Sequence, residues 1–302
     1  MPSRRNFLRT AALSLVAVAA LTLSWAWLEA RGRPDSAQLL DMAPSEFSAD
    51  SKRGELVFHL GGCADCHLVR DPENPWFGTL AGGIRLETSF GTFFPPNITP
   101  DSATGIGGWS QEDFLGAMVL GTGPDGRHYY PSFPYTSYAG SSIADLLDLK
   151  AYLDEQTPVE LSNVSHELRF PYNVRSAIGL WKLFFHEIEP FRPNDSRSDE
   201  WNRGAYIVNT LGHCGVCHTP RNRFLAERDD SPFSGGSPMS PGAKPAPAIA
   251  GLDNTEILNA LDEWSGAVSE NSPMFLVTLA FSQHVSIADS EAVAVYLSSL
   301  GP

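Results

Sequence analysis

Apolar residues form one long run near the start of this chain and shorter amphipathic stretches after it. Residues 11–28 carry no charge and are almost continuously apolar, and a basic segment precedes them. A helix of that length rises about 27 Å at 1.5 Å per residue, enough to cross a hydrocarbon core. The pattern predicts a signal peptide or a membrane anchor within residues 1–30.

An uncleaved anchor is the favoured interpretation, with the basic end inside and the remainder outside. Trp25 and Trp27 are typical of a membrane interface, and no clear small-x-small cleavage site follows the run. Residues 3–8 also match a twin-arginine export signal. Either route leads to the periplasmic side of a bacterial inner membrane, and the alternative is a soluble periplasmic protein after cleavage.

Two later stretches place apolar residues at helical spacing and resemble one another. Ile143 and Tyr152 stand nine residues apart, as do Ile287 and Tyr296. Serines ahead of each stretch are candidate N-caps, namely Ser141 or Ser142 and Ser286. An Arg-Gly pair followed by apolar residues occurs at 53–54 and again at 203–204. The second pair lies one residue further from the next cysteine than the first pair does.

These repeats predict two copies of one helical domain. The expected divisions are a signal or anchor at 1–30, a linker at 31–49, a first domain at 50–157, a packed proline-containing connector at 158–197 and a second domain at 198–302.

Composition narrows the class of protein. The apolar content of 42% is that of an ordinary folded chain, and the formal net charge is −14. This acidity argues against nucleic-acid binding. It suits either solubility alone or steering toward a basic face on a partner.

A C-x-x-C-H motif occurs in each copy and together the two use all four cysteines. The motifs are Cys63, Cys66 and His67, then Cys214, Cys217 and His218. This is the pattern for covalent c-type haem, in which thioethers hold the porphyrin and the histidine binds the iron. A redox dithiol or a zinc site fits less well, because each pair is followed at once by histidine. The sequence predicts two covalently bound haem c groups.

Further segments carry a resemblance to a known family. They are residues 91–101 (GTFFPPNITPD), 105–109 (GIGGW), 129–138 (YYPSFPYTSY), 212–214 (GHC) and 217–222 (CHTPRN). The chain resembles the dihaem cytochrome c electron-acceptor subunits of membrane-bound alcohol, gluconate and related dehydrogenases. The resemblance covers most of residues 50–300. It implies a mainly α fold of tandem class I cytochrome c-like domains, each wrapped around a haem, and a periplasmic dehydrogenase as partner.

Methionine is the usual ligand opposite the proximal histidine in electron-transferring cytochromes. Met274 lies in a loop entering an apolar stretch and is the predicted distal ligand of haem 2, with Met239 as its rival. A core role for Met274 is the alternative.

Haem 1 lacks an equivalent methionine. Related cytochromes place one within the Tyr-Pro-x-x-Pro-Tyr run, here Phe133, or a few residues after it, here near Ser141. His128 and Met118 are the remaining candidates, although a core role suits Met118 better. His59 lies awkwardly close to its own motif, and an iron without a sixth protein ligand is the other possibility.

The sequence therefore predicts a membrane-anchored periplasmic electron carrier rather than an enzyme. The resemblance implies that it accepts electrons from a dehydrogenase and passes them to a downstream cytochrome, an oxidase or the quinone side. The alternative is a haem enzyme, a peroxidase or a sulfur-compound dehydrogenase, with an open haem 1 and haem 2 as relay. A gas or redox sensor is a weaker third option, since no output domain is evident.

Overall fold

The computed structural model describes residues 33–70, 78–238, 240–269 and 272–301. Short helices dominate, which confirms the expectation of a mainly α protein for this part of the chain. The helices are α1 (Ser36–Leu40), α2 (Ser51–Leu60), α3 (Cys63–His67), α4 (Gln111–Leu120), α5 (Tyr135–Tyr138), α6 (Ile143–Asp154), α7 (Ser176–Phe185), α8 (Asp199–Tyr206), α9 (Gly215–His218), α10 (Asn254–Leu261), α11 (Met274–His284) and α12 (Ile287–Ser298). A π-turn spans Ile207–Leu211 and a 3₁₀ turn spans Glu263–Ser265.

The strands are short and belong to the first half of the chain and the connector. They are β1 (Val69–Arg70), β2 (Gly78–Thr79), β3 (Leu86–Thr88), β4 (Gly91–Phe93) and β5 (Glu167–Leu168). β1 pairs with β2, and β3, β4 and β5 form an antiparallel sheet in that order. Because β5 comes from the connector, this sheet ties the connector to the first half.

In the first half, α2 crosses α6 at a glycine. A Cβ on Gly54 would lie 2.0 Å from the Asp148 carbonyl oxygen and 2.9 Å from the Tyr152 Cβ. Only a residue without a side chain allows the helices to approach so closely. An ion pair flanks the crossing, since Arg53 Nε lies 2.7 Å from a carboxylate oxygen of buried Asp148.

The second half repeats this crossing between α8 and α12. A Cβ on Gly204 would lie 1.9 Å from the Ala292 carbonyl oxygen and 2.9 Å from the Tyr296 Cβ. Arg203 again supplies the flanking ion pair, with Nε 2.7 Å from Asp289. The repeated Arg-Gly pair in the sequence thus marks one packing arrangement used twice.

The predicted late helices begin where serine caps them. Ser142 accepts a hydrogen bond from the Asp145 amide at the start of α6, and Ser286 accepts one from the Asp289 amide at the start of α12. Ser286 and one of the two serines proposed for α6 are therefore confirmed as N-caps.

The π-turn accommodates the one-residue difference between the copies. In the first copy the Gly61 amide donates to the Val57 carbonyl, four residues back, at 2.8 Å. In the second the Gly212 amide donates to the Ile207 carbonyl, five residues back, at 2.7 Å. A π-turn holds one more residue than an α-turn. The helix crossing and the C-x-x-C-H motif therefore keep the same relative position in both copies.

The connector helix α7 packs against the end of α4. Lys182 is 4% exposed, and its ammonium donates to the Leu120 and Gly121 carbonyls. His186 donates from Nε2 to the Val119 carbonyl at 2.8 Å, which fixes its tautomer because a carbonyl only accepts. These contacts join α7 to α4, while the packed connector at 158–197 and the domain boundaries remain predictions.

The two halves also touch directly. Tyr206, at the end of α8, donates a 2.5 Å hydrogen bond to Asp145 on α6 and accepts one from the Ser142 amide. The Phe191 amide donates to the Gly140 carbonyl at 2.9 Å. Within the described ranges no helix is long and apolar enough to cross a membrane. The predicted anchor at 11–28 lies outside those ranges.

Candidate haem-binding sites

The first motif forms the short helix α3 directly after α2. Gly62, with φ 58°, makes the left-handed turn that separates the two helices. The thiols of Cys63 and Cys66 are not in disulfides. Burial raises the pKa of Cys63 to about 12 and that of Cys66 to about 11, so both thiols are protonated at neutral pH.

The two proximal histidines are held in the same way. His67 Nδ1 lies 2.7 Å from the Pro96 carbonyl oxygen, and His218 Nδ1 lies 2.8 Å from the Pro247 carbonyl oxygen. In both copies the proline follows the histidine by 29 residues. A carbonyl only accepts, so Nδ1 carries the proton and Nε2 keeps the lone pair that binds a metal.

The loop after each motif closes over the histidine by repeated backbone contacts. The Gly82 amide donates to the His67 carbonyl at 3.0 Å, and the Gly235 amide donates to the His218 carbonyl at 2.8 Å. Both glycines have positive φ, 66° and 99°. These loops therefore hold the two candidate ligands in matching surroundings.

Burial also sets the charge of the proximal imidazoles. It lowers the pKa of His67 to about 4, against a smaller opposing effect of the Pro96 carbonyl. It lowers the pKa of His218 in the same way. Both rings are neutral at pH 7, as a metal-binding imidazole must be.

The two motifs are neighbours in space, although about 150 residues separate them. His213 Nε2 lies 3.1 Å from the Gly61 carbonyl oxygen, and Tyr138 donates to the same oxygen at 2.8 Å. The Tyr138 and His213 rings meet edge to face at 5.7 Å. Proximity to Cys217 adds to the rise in the pKa of Cys66, after the larger effects of burial and Asp65.

His213 and Tyr138 were not among the residues predicted from the sequence to form the site. The repeat holds a signal for His213, because it occupies the place that Gly62 has in the first copy. Its φ of 38° is in the left-handed region, uncommon for a residue with a side chain. Nothing in the sequence reveals which oxygen it contacts.

The donor set fits covalently bound haem c. Each copy offers two free thiols and a neutral imidazole whose Nε2 is not used by the hydrogen bond that orients the ring. These are the groups that form the thioethers and the proximal bond.

Met274 is the first residue of α11. Its amide donates to Ser272 Oγ at 3.2 Å, and its half-buried side chain packs against the hydrophobic core. Met239, the rival ligand, lies outside the described residues. The assignment of Met274 to the iron stays a prediction.

The candidates for haem 1 are held by other contacts. His128 Nδ1 lies 3.2 Å from the Lys182 ammonium, and a Cβ on Gly179 would lie 2.6 Å from its Nε2, so both ring nitrogens face α7. Met118 is 6% exposed within the core on α4. Ser141 Oγ is buried and has no hydrogen-bond partner among the described residues.

The remaining histidines have structural contacts. His166 Nδ1 accepts a hydrogen bond from the Phe94 amide at 3.2 Å, and His186 is buried against Val119. The His59 ring stacks on His284 of α11.

Comparison with known proteins identifies relatives over most of the chain. A dihaem c-type cytochrome from Cereibacter sphaeroides is 42% identical over 240 residues, covering 80% of this chain and 78% of the relative. The fructose dehydrogenase cytochrome subunit from Gluconobacter japonicus is 32% identical, covering 82% of this chain and 52% of the relative. The gluconate 2-dehydrogenase cytochrome c subunit from Pantoea cypripedii is 34% identical, covering 83% of this chain and 59% of the relative.

The chain thus spans only part of the dehydrogenase subunits that it matches. No protein-family model matches it. With 42% identity to a relative of which it spans more than three quarters, the chain belongs to the dihaem c-type cytochromes, a group similar to the cytochrome c subunits of dehydrogenases.

Proposed function

We propose that the protein carries electrons between a dehydrogenase and the respiratory chain on two covalently bound haem c groups. The repeated proximal geometry carries this proposal. Two neutral imidazoles are each oriented by a backbone carbonyl 29 residues downstream, and each stands beside a free thiol pair.

The haem, when bound, supplies one-electron chemistry, and the chain supplies attachment and orientation. Cys63 and Cys66 attach haem 1, and His67 binds its iron. Cys214, Cys217 and His218 do the same for haem 2. The hydrogen bonds from Nδ1 to the Pro96 and Pro247 carbonyls keep each ring facing its iron and raise its basicity.

The contact between the halves supports transfer from one haem to the other. His213 and Tyr138 meet at the Gly61 carbonyl, between the ends of α2 and the π-turn that precede the two motifs. This arrangement brings the attachment segments together without a flexible tether.

A dehydrogenase partner is supported by the relatives, whose names include a gluconate 2-dehydrogenase cytochrome c subunit and a fructose dehydrogenase cytochrome subunit. We place the protein on the periplasmic side, anchored through residues 11–28, with a cytochrome or oxidase downstream. No observation favours a peroxidase or a sulfur-compound dehydrogenase.

Met274 is the proposed distal ligand of haem 2. Ligation of haem 1 by His128 requires its ring to leave α7, and ligation by Met118 requires the side chain to leave the core. Visible and EPR spectra with and without CO separate the cases. Two low-spin haems that ignore CO mean that one of these residues binds, whereas CO uptake by haem 1 means an open iron.

A direct test of the proposal counts haems and measures electron acceptance. The pyridine haemochrome assay of the purified protein should give two haems per chain, and Cys63→Ala with Cys66→Ala should leave one. The reduced spectrum should appear when a quinone-type sugar or alcohol dehydrogenase and its substrate are added, and not with substrate alone. Two haems in the double variant contradict the attachment sites, and reduction by substrate alone contradicts the carrier role.

A further inference from the structure

Three side chains outside the C-x-x-C-H motifs form a cluster where α2 meets α11. Glu55 and His59 are four residues apart and share one face of α2, and His284 is the last residue of α11. Their ligand atoms, one from each residue, all lie within 4.8 Å of one another. The cluster joins the two halves of the chain.

The two imidazoles are in direct contact. The rings of His59 and His284 stack with centroids 3.4 Å apart and planes within 4° of parallel. Burial, and next the neighbouring His284, lower the pKa of His59 to about 4. His59 is therefore neutral at physiological pH, with a ring nitrogen lone pair to offer.

Two imidazoles and one carboxylate define the class of ion. Calcium and magnesium prefer sets made only of oxygens, whereas imidazole suits zinc, copper, nickel and iron. A His₂Glu set is one of the arrangements that zinc takes with three protein ligands and one open position.

We propose that Glu55, His59 and His284 bind one divalent transition-metal ion, of which zinc is the best match, and that the ion ties α11 to α2. A water molecule completes the coordination. The three residues are not among those proposed to hold the haems, and the proposal does not depend on the electron-transfer function.

Metal binding requires a small local rearrangement. Bonds of 2.0–2.1 Å in a tetrahedral site put ligand atoms about 3.3 Å apart, so atoms now up to 4.8 Å apart must approach. Parallel rings direct their lone pairs within parallel planes, so one ring must turn to meet the same ion. His284 is exposed at the helix end and is the ring free to do so.

The proposed ion would link two helices that lead to proposed haem-binding residues. His59 lies one turn before Cys63, and α11 begins at Met274, the proposed distal ligand of haem 2. An ion at the cluster therefore fixes the helix of one proposed haem ligand to the helix that leads into the other motif.

The test uses the untagged, haem-loaded protein and zinc itself. Equilibrium dialysis against buffered zinc, read by elemental analysis, should show one ion per chain in excess of the two irons. His284→Ala and Glu55→Gln should each weaken binding on the order of 100-fold or more, since removing a ligand exceeds the 10- to 100-fold loss from an outer partner. Gln283→Ala, an exposed neighbour on α11, is the matched control and should bind as the unchanged protein does.

X-ray absorption at the zinc edge gives a readout independent of affinity. The one-to-one complex should show scattering from two imidazoles. Binding that is not saturable, an affinity in either ligand variant equal to that of the unchanged protein, or a zinc shell without imidazole would each overturn the proposal. Glu55 and His284 are both exposed, so neither substitution removes a buried side chain. An unchanged haem spectrum in each variant checks that it folds.

Discussion

His213 Nε2 lies 3.1 Å from the Gly61 carbonyl oxygen, so the residue before the second motif contacts the helix end before the first. The contact depends on a left-handed backbone at His213, φ 38°, where the first copy has Gly62. The geometry indicates that the second copy accepts an unfavourable conformation to gain a contact with the first.

His213→Gly should slow electron transfer between the haems while leaving each haem spectrum unchanged. Glycine adopts φ 38° readily, so the loss of a hydrogen bond worth about 0.5–1.5 kcal/mol is partly offset by relief of strain. Pulse radiolysis with optical detection measures the intramolecular rate. His213→Asn tolerates the same backbone and is the control for backbone effects. An unchanged rate in the glycine variant would show that this contact does not couple the haems.

Met274→Ala should give haem 2 an open iron that binds CO and has a lower reduction potential. Loss of a thioether ligand removes the group that favours ferrous iron. Met42→Ala, at a methionine that is 49% exposed, should leave spectrum and potential unchanged. A wild-type spectrum in Met274→Ala removes this residue from the ligand set and directs attention to Met239.

Gly54→Ala and Gly204→Ala should each destabilise the protein by about 1–3 kcal/mol, because the new methyl group has no space at the helix crossing. The nearest carbonyl oxygens would lie 2.0 and 1.9 Å from the added Cβ. Thermal unfolding followed by circular dichroism measures the effect. Gly108→Ala, where the nearest atom is 3.4 Å away, is the control. Equal melting temperatures in all three variants would contradict close packing at the crossings.

Lys182 should make stability rise with pH between about 7 and 10.5. Burial, more than the neighbouring Arg33, lowers its pKa from 10.5 to about 7. In that range the unfolded chain binds more protons than the folded one, so the free energy of unfolding increases with pH. Lys182→Met should flatten this slope between pH 7 and 9, as measured by chemical denaturation. Lys52→Met, at an exposed residue of α2, should keep it. A slope unchanged by Lys182→Met would show that the amine stays charged in the fold.

Local patterns predicted much of this arrangement from the sequence. Apolar spacing and capping serines located α6 and α12, and the repeated Arg-Gly pairs indicated two copies of one plan. These features depend on neighbours within a turn or on repetition. The adjacency of the two motifs did not follow, because it depends on packing between residues distant in sequence.

The stacking of His59 on His284 was hidden for the same reason. His128 is a predicted candidate ligand of haem 1, and that assignment stays a prediction. The sequence carried no sign that Lys182 and Gly179 of the connector would meet its ring.

The π-turn at Ile207–Leu211 bears on how two such copies diverge after a duplication. A single inserted codon ahead of a haem motif ordinarily rotates everything beyond it by about 100° around the helix axis. Here the extra residue is held within one widened turn, so Gly204 still meets α12 and the motif still follows in place. We therefore expect the fold to tolerate a gain or loss of one residue in this segment. Deleting one residue within Ile207–Leu211 should restore a continuous α-helix like that of the first copy.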